Sequence, residues 1–300
     1  MRKGRPSRSA VQVALLLVMR DADPRYDGIL PAGTARSTLA VLRGAGAVPR
    51  WQERMILSRW ARRGMDWEEA AVLPGLSTGL LLRKRYVEEA VRAAIEHGAE
   101  QVVVLGAGYD TLCLRLARDG LAVRCLEVDH PATQARKQRG LEALSGGLES
   151  PELVPVDFTT TTLDVALRGT RTFVAGARSV FIAEGLLMYL SQEEVRTLLE
   201  TFRGLVAPGS RLVLTYCHSD DRGRPQLGRF PAFMRMAARL GRERLRWAIQ
   251  RENLGEFLED SGLWLVDAPS VEDLLERYLG EERYPGLAPR VGEFYAVAEV

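Results

Sequence analysis

The chain has 300 residues, enough to bury a hydrophobic core in one α/β domain with a helical elaboration. Its 41 basic and 39 acidic residues leave a formal net charge of +2, so no single-sign field points to nucleic acid or to a membrane as a partner. The three cysteines and three histidines are too few and too scattered for a disulfide framework or a metal site, so we expect a cytoplasmic protein with reduced thiols and no bound metal.

Residues 1–82 alternate helical patterns with glycine and proline punctuation, which predicts an N-terminal helical cap or lid. Basic residues precede an apolar run near the start, but that run meets Arg20 and Asp21 without a small-residue cleavage site, which favours an amphipathic helix over a signal peptide. No run approaches the ~20 apolar residues of a membrane span. The stretch Trp51–Trp67, dotted with arginine, methionine and tryptophan, is interpreted either as a lid over an aromatic substrate or as ordinary core.

A strand, a glycine turn and a helix are predicted from the sequence VVVLGAGYDTLCLR at Val102–Arg115. Gly106 and Gly108 allow a tight turn that brings backbone N–H groups close to a ligand. A dinucleotide site would continue to a third glycine at position 111, where this chain has threonine, and Asp110 would meet the pyrophosphate. The turn therefore favours a ligand that carries a cation and no phosphate, such as S-adenosylmethionine. Asp110 is alternatively the N-cap of the following helix.

A second apolar run, LAVRCLEVDHP, occupies Leu121–Pro131 and ends in two acids. They lie about twenty residues past the glycines, where an acid at the end of a second strand binds ribose hydroxyls. Both acids face the same side of an extended strand. We assign the ribose to Asp129 and leave Glu127 as a helix cap or a salt-bridge partner. Pro131 then opens the next helix, at a position where its missing N–H costs nothing.

Further strands follow the same rhythm and predict βα units around a parallel sheet. An antiparallel closing pair is expected at the end of the chain, because the last two candidates are separated by a short connection. The five runs are Glu152–Phe158, Ser179–Gly185, Arg211–Tyr216, Leu263–Pro269 and Glu293–Val300. A capping box at Ser191 and Glu194 starts the helix after the second of them. Gly106, Asp129, Asp157 and Glu184 all fall at carboxyl ends of predicted strands, where open α/β sheets bind ligands.

Four motifs in order, LGAGYDT, LEVDHP, VDF and FIAEGLLMYL, resemble the leucine carboxyl methyltransferase-like family of class I S-adenosylmethionine-dependent O-methyltransferases. The match runs from about residue 82 to 266. It implies a Rossmann-like α/β fold, with a seven-stranded, mostly parallel sheet and an antiparallel closing pair after the N-terminal helical cap. The methyltransferase core then spans 83–300, with a substrate-lid insertion at about 217–246.

The resemblance also implies a set of cofactor-binding residues. These are Arg83 for the methionine carboxylate, Gly106, Gly108 and Asp110 for the turn, Asp129 for the ribose, Asp157 and Phe158 for the adenine, and Glu184 near the methionine amine. A planar guanidinium suits a free carboxylate, and both Arg83 and Arg85 lie at the start of the helical run Arg83–His97. Their alternative is a solvated helix face, and the alternative for Phe158 is the core.

The expected reaction is methyl transfer to a carboxylate or hydroxyl of a small-molecule acceptor, and a homo-oligomer is compatible with the sequence. A carboxylate acceptor needs no base, whereas an alcohol or phenol does. Tyr189 is placed to line the acceptor pocket, and His218 is the candidate base, with a structural histidine as its alternative. Two other functions stay open: a nicotinamide-dependent oxidoreductase and a non-catalytic protein that kept the fold.

Overall fold

The computed structural model describes residues 7–72, 74–144, 150–158, 160–226, 245–280 and 293–300. The α-helices in these ranges are α1 (Arg8–Asp21), α2 (Thr34–Gly44), α3 (Arg50–Ile56), α4 (Arg59–Val72), α5 (Leu76–Glu96), α6 (Leu112–Arg118), α7 (Pro131–Glu142), α8 (Leu163–Arg168), α9 (Gln192–Leu205), α10 (Leu254–Glu259) and α11 (Val271–Leu279). The strands are β1 (Gln101–Leu105), β2 (Arg124–Asp129), β3 (Glu152–Pro155), β4 (Ser179–Ala183), β5 (Arg211–Ser219), β6 (Pro225–Gln226), β7 (Trp264–Asp267) and β8 (Glu293–Glu299). Short 3₁₀ helices occupy Pro24–Tyr26, Leu187–Tyr189 and Arg251–Asn253.

The main sheet has the order β3-β2-β1-β4-β5-β8-β7, and the short strand β6 pairs with β5 outside this path. Strands β3, β2, β1, β4 and β5 are parallel, whereas β8 runs antiparallel to both β5 and β7. The predicted seven-stranded sheet with an antiparallel closing pair is therefore confirmed. The chain winds outward from β1 in one direction and from β4 in the other, so the switch point of this sheet lies between β1 and β4.

The central strands of the sheet are buried on both faces, as their near-continuous apolar sequences require, whereas the edge strand β7 is largely exposed. Val102 and Val104 of β1 pack with α1 and α5 on one face, and Val103 and Leu105 pack with α8 and α9 on the other. The carboxyl ends of the parallel strands thus remain as the edge where polar side chains can collect. We call this edge of the sheet the carboxyl edge.

Helix α5 begins at Leu76 and runs without a break through residues 82 and 83, so the predicted cap and core share one helix. Strand β5 continues to Ser219, and its last two residues pair with β6. The first part of the predicted insertion at 217–246 is therefore strand. Its residues 227–244 lie outside the described residues. Among the helices that the structure describes, none combines the length and hydropathy needed to cross a bilayer.

The tryptophans of the stretch Trp51–Trp67 are not part of the core, although Ile56 in the same stretch is buried. Trp51, Trp60 and Trp67 are 68%, 80% and 78% exposed. Polar side chains on the inner face of α4 bind the fully buried guanidinium of Arg20. The Nη2 atom of Arg20 donates to the Oε2 atom of Glu69 at 2.8 Å. Because this face of α4 is occupied by ion pairs, the tryptophans of the helix point to solvent.

Candidate functional site

The glycine turn after β1 is closely packed. Gly106 and Gly108 have φ angles of 65° and 50°, in the region that favours glycine. A Cβ atom on Gly106 would lie 3.3 Å from the Leu186 side chain, and one on Gly108 would lie 3.0 Å from the Cβ of Ala10 in α1. The Gly106 N–H donates to the carbonyl of Val128 in β2 at 2.8 Å. The turn therefore needs glycine both for its backbone conformation and for space.

Asp129 at the end of β2 holds this turn. Its carboxylate accepts the backbone N–H of Gly108 at 2.6 Å and that of His130 at 2.6 Å. Burial raises the pKa of Asp129, and these two hydrogen bonds oppose the rise. The predicted ribose acid thus lies beside the glycine turn, at the carboxyl edge.

Glu127, two residues earlier, has a different environment. It is 1% exposed and forms an ion pair with Lys137 of α7, which is also 1% exposed. Burial raises the pKa of Glu127 even though Lys137 acts in the opposite direction. Of the two roles that the sequence left open for the second acid, the structure selects the salt-bridge partner.

Five charged side chains meet at the carboxyl edge in a chain of alternating sign, which we call the carboxyl-edge ion network. Its members are Asp110, Lys84, Glu184, Arg83 and Glu293. Arg83 donates from Nε to Glu184 at 2.8 Å and from Nη1 to both oxygens of Glu293 at 2.8 and 3.0 Å. Lys84 binds the other oxygen of Glu184 at 2.9 Å and also binds Asp110. None of the five side chains is more than 12% exposed.

The charges in this network stabilise one another. Burial alone would lower the pKa of Arg83, but the carboxylates of Glu293 and Glu184 raise it above its usual value. Burial likewise acts against the charge of Lys84, and Asp110 and Glu184 outweigh it and raise its pKa. For Asp110, burial would raise the pKa, but the combined positive charges, led by Lys84, hold it well below its usual range.

The helix after the glycine turn, α6, has Thr111 as its N-cap, so the alternative of Asp110 as the N-cap is wrong. Asp110 still binds the start of this helix from the preceding position. Its Oδ1 atom accepts the N–H of Leu112, the first residue of α6, at 2.5 Å, while its other oxygen binds Lys84.

Two members of the network were not anticipated from the sequence. Lys84 lies between the two arginines considered for a carboxylate, and it is one of three lysines in an arginine-rich chain, which is the signal that could have found it. Glu293 begins β8, and an antiparallel strand begins at the edge where parallel strands end. Arg85, by contrast, is 37% exposed and pairs with Glu89, so it faces away from the network.

Asp157 and Phe158 follow β3 at the same edge. The N–H of Val156 donates to the carbonyl of Asp129 at 2.9 Å, which places the segment beside the end of β2. The Asp157 carbonyl accepts the N–H of Thr160 at 2.9 Å and so closes a turn. The Phe158 ring is 56% exposed and not part of the core, so it has a face available to a planar ligand.

The predicted acceptor residues lie beyond β4 and β5. Tyr189 ends a 3₁₀ helix and packs with the cluster formed by Met188 and Cys217, whose sulfur atoms are 3.9 Å apart. His218 sits at the next position of β5, with its ring edge-on to Phe294 at 5.8 Å between centroids. Its Nδ1 atom is buried, and within the described residues it has no hydrogen-bond partner. The structure thus places Tyr189 on the 3₁₀ helix that follows β4 and His218 on β5, the strand that pairs with β4.

The donor set fits one kind of ligand. Acids beside a guanidinium and an ammonium suit a zwitterionic amino acid that carries an additional cation, whereas a pyrophosphate would meet the carboxylate of Asp110. The glycine turn and the acid at Asp129 supply the tight backbone and the hydroxyl acceptor of a nucleoside site. We therefore expect S-adenosylmethionine rather than a dinucleotide at this edge.

Comparison with known proteins points to the same ligand class. The family described as leucine carboxyl methyltransferase matches residues 13–203 of this chain. YktD of Bacillus subtilis, provisionally named as an S-adenosyl-L-methionine-dependent methyltransferase, is 30% identical over 217 residues, which cover 69% of this chain and 68% of YktD. A protein of Mycobacterium avium with the same provisional name is 33% identical, over 66% of each chain.

One solved structure extends the comparison to nearly the whole chain. It is a provisionally named methyltransferase from Thermobifida fusca, and the match covers 92% of this chain and 97% of that one with a TM-score of 0.50. At 22% sequence identity this likeness supports the fold. The architecture described above is therefore that of a class I methyltransferase.

Proposed function

From the premise that this chain belongs to the leucine carboxyl methyltransferase family, we propose that it transfers the methyl group of S-adenosylmethionine to an oxygen of a small-molecule acceptor. The acceptor oxygen is a carboxylate or a hydroxyl. Methyltransferase activity follows from the family, and the oxygen acceptor is our proposal.

The observation that carries the proposal is the carboxyl-edge ion network beside the glycine turn. It combines a guanidinium that suits a methionine carboxylate, Arg83, with acids that suit an ammonium and a sulfonium, Glu184 and Glu293. Asp129 holds the turn from the ribose side. These groups come from β1, β2, β4, β8 and α5, so only the folded sheet assembles them.

Each of these residues would bind a different part of the cofactor. Arg83 would orient the methionine carboxylate, Glu184 its ammonium, and Asp129 the ribose hydroxyls. Asp157 would accept from the adenine amine, and the exposed ring of Phe158 would cover the base. The cofactor supplies an electrophilic methyl group on a sulfonium.

The remaining task of the protein is to align an acceptor oxygen about 3 Å from that methyl group and to exclude water. The apolar cluster around Met188 and Cys217, with Tyr189 beside it, supplies a dry wall for this purpose. A carboxylate acceptor arrives ionised at neutral pH. An alcohol or phenol must lose its proton. We assign its acceptance to the buried Nδ1 atom of His218, which has no hydrogen-bond partner among the residues that the structure describes.

The nicotinamide alternative is disfavoured by the turn itself. A dinucleotide needs a glycine at position 111 and an open approach for its pyrophosphate. This chain has Thr111 there and holds the carboxylate of Asp110 at that approach with Lys84.

The proposal is tested by methyl transfer from S-adenosylmethionine with a labelled methyl group to matched pairs of carboxylic acids and phenols. A methyl ester releases labelled methanol in dilute base, whereas a methyl ether does not, so the product identifies the acceptor oxygen. His218→Ala should lose the phenol reaction and keep the carboxylate reaction. Label recovered on nitrogen, carbon or sulfur of the acceptor would refute the assignment to oxygen.

A further inference from the structure

The carboxyl-edge ion network is not balanced in charge. It contains three carboxylates, Asp110, Glu184 and Glu293, but only two cations, Arg83 and Lys84. All five side chains are at least nearly buried, so water does little to screen the uncompensated negative charge.

The surroundings do not supply the missing cation. Two further buried cations, Arg115 and Lys137, act on Asp110, but both form ion pairs with buried carboxylates. Arg115 binds Glu88, which also binds the partly exposed Arg92, and Lys137 binds Glu127. Asp129 adds another acid on the ribose side. Among the described residues, the edge therefore keeps at least one uncompensated negative charge.

We propose that this uncompensated charge makes the site select the sulfonium form of the cofactor over its thioether product, with Glu293 as the specificity-determining carboxylate. The inference rests on the proposed function. S-adenosylmethionine carries one net positive charge, from its carboxylate, ammonium and sulfonium together, whereas S-adenosylhomocysteine has none. Only the former neutralises the network.

Glu293 is the carboxylate best suited to this role. Its position is fixed on two sides, because the Oε1 atom accepts from Arg83 at 2.8 Å and from the hydroxyl of Thr215 at 2.9 Å. Thr215 in turn accepts the N–H of Gly185, just after β4. A charge held this rigidly does not swing away when the ligand changes, so it distinguishes ligands by their charge.

The selection also favours turnover. In the transfer, the bond between sulfur and the methyl carbon breaks, its electron pair stays on sulfur, and a new bond forms between that carbon and the acceptor oxygen. The cofactor loses its positive charge at that moment, and the network becomes uncompensated again. Product binding is thereby weakened relative to substrate binding, and release of the spent cofactor becomes easier.

Isothermal titration calorimetry with three ligands tests the inference: S-adenosylmethionine, S-adenosylhomocysteine, and sinefungin, which carries an ammonium near the sulfonium position. Glu293→Gln keeps the size of the side chain and an oxygen for Arg83 and Thr215. We expect it to lower the affinity for both cationic ligands about tenfold relative to S-adenosylhomocysteine. Lys84→Met removes a positive charge instead, so it should shift the same affinity ratio in the opposite direction.

Glu299→Gln is the matched control, because Glu299 lies at the far end of the same strand and pairs with Arg211 at 3.0 Å. It should leave the ratio unchanged. A purely structural role for Glu293 would weaken the binding of all three ligands alike. The inference is overturned if the affinity ratio of cationic ligands to S-adenosylhomocysteine is unchanged in both network variants, or shifts in the same direction in both. Either result leaves the proposed function intact. If a folded parent protein binds no adenosyl ligand, the proposed function falls and this inference falls with it.

Discussion

The two acids of β2 stand two residues apart and face different environments, which makes them the most direct internal comparison in the protein. Glu127 is buried against Lys137, and Asp129 holds the glycine turn. Glu127→Gln keeps the shape of the side chain and removes its charge. Lys137 is then left in the interior without its carboxylate.

The expected cost follows from burial. Both side chains of the pair are 1% exposed, so solvent screening brings no relief. Removing one partner of a fully buried ion pair costs about 3–5 kcal/mol. In a chain of this length each kcal/mol lowers the melting temperature by about 2–4 °C. The double variant Glu127→Gln/Lys137→Met removes both charges and should recover most of the loss.

The measurement is denaturation in urea, combined with calorimetric titration of S-adenosylmethionine. Glu127→Gln should lose unfolding free energy and keep the cofactor affinity of the parent. Asp129→Asn should mainly affect cofactor binding and lower the affinity for S-adenosylmethionine at least about tenfold. It should also lower the free energy of unfolding by about 1–3 kcal/mol, because the N–H groups of Gly108 and His130 lose a charged acceptor. A Glu127→Gln protein of parental stability with weakened cofactor binding would refute this division of roles.

Gly106→Val would place a branched side chain at a φ of 65° and against Leu186, so we expect calorimetry to find cofactor binding lost; retained binding would mean that the turn faces elsewhere. His218→Ala should abolish methylation of an alcohol or phenol with unchanged cofactor affinity, and full activity would exclude His218 as the base. Because Lys84 helps to hold the pKa of Asp110 low, the stability from this carboxylate is present above about pH 4 and is lost as the pH falls further. Urea titrations of the parent and of Asp110→Asn should therefore show a gap in unfolding free energy that begins to narrow below about pH 4 and keeps narrowing as the pH falls further, and a constant gap would refute this reasoning.

Much of the site could be predicted because parallel strands end at one edge. The acids at the ends of β2 and β4, Asp129 and Glu184, followed from that rule and from the positions of the apolar runs. The choice between a helix cap and a salt-bridge partner for Glu127 did not, since it depends on α7 bringing Lys137 against this side chain.

Other parts of the site depend on topology that the periodicity does not encode. Glu293 reaches Arg83 only because the last strand runs antiparallel beside β5. The exposed tryptophans Trp60 and Trp67 are a second example. An apolar pattern predicts burial, but here the opposite face of the helix binds the buried guanidinium of Arg20, so the tryptophans face solvent.

Calorimetric titration of the folded protein with S-adenosylmethionine, S-adenosylhomocysteine and NAD(H) tests whether the carboxyl edge is a methyltransferase site for S-adenosylmethionine. We expect dissociation constants on the order of micromolar for the adenosyl ligands and no heat from NAD(H). Binding of NAD(H), or silence toward both adenosyl ligands in a protein shown to be folded, would contradict this assignment.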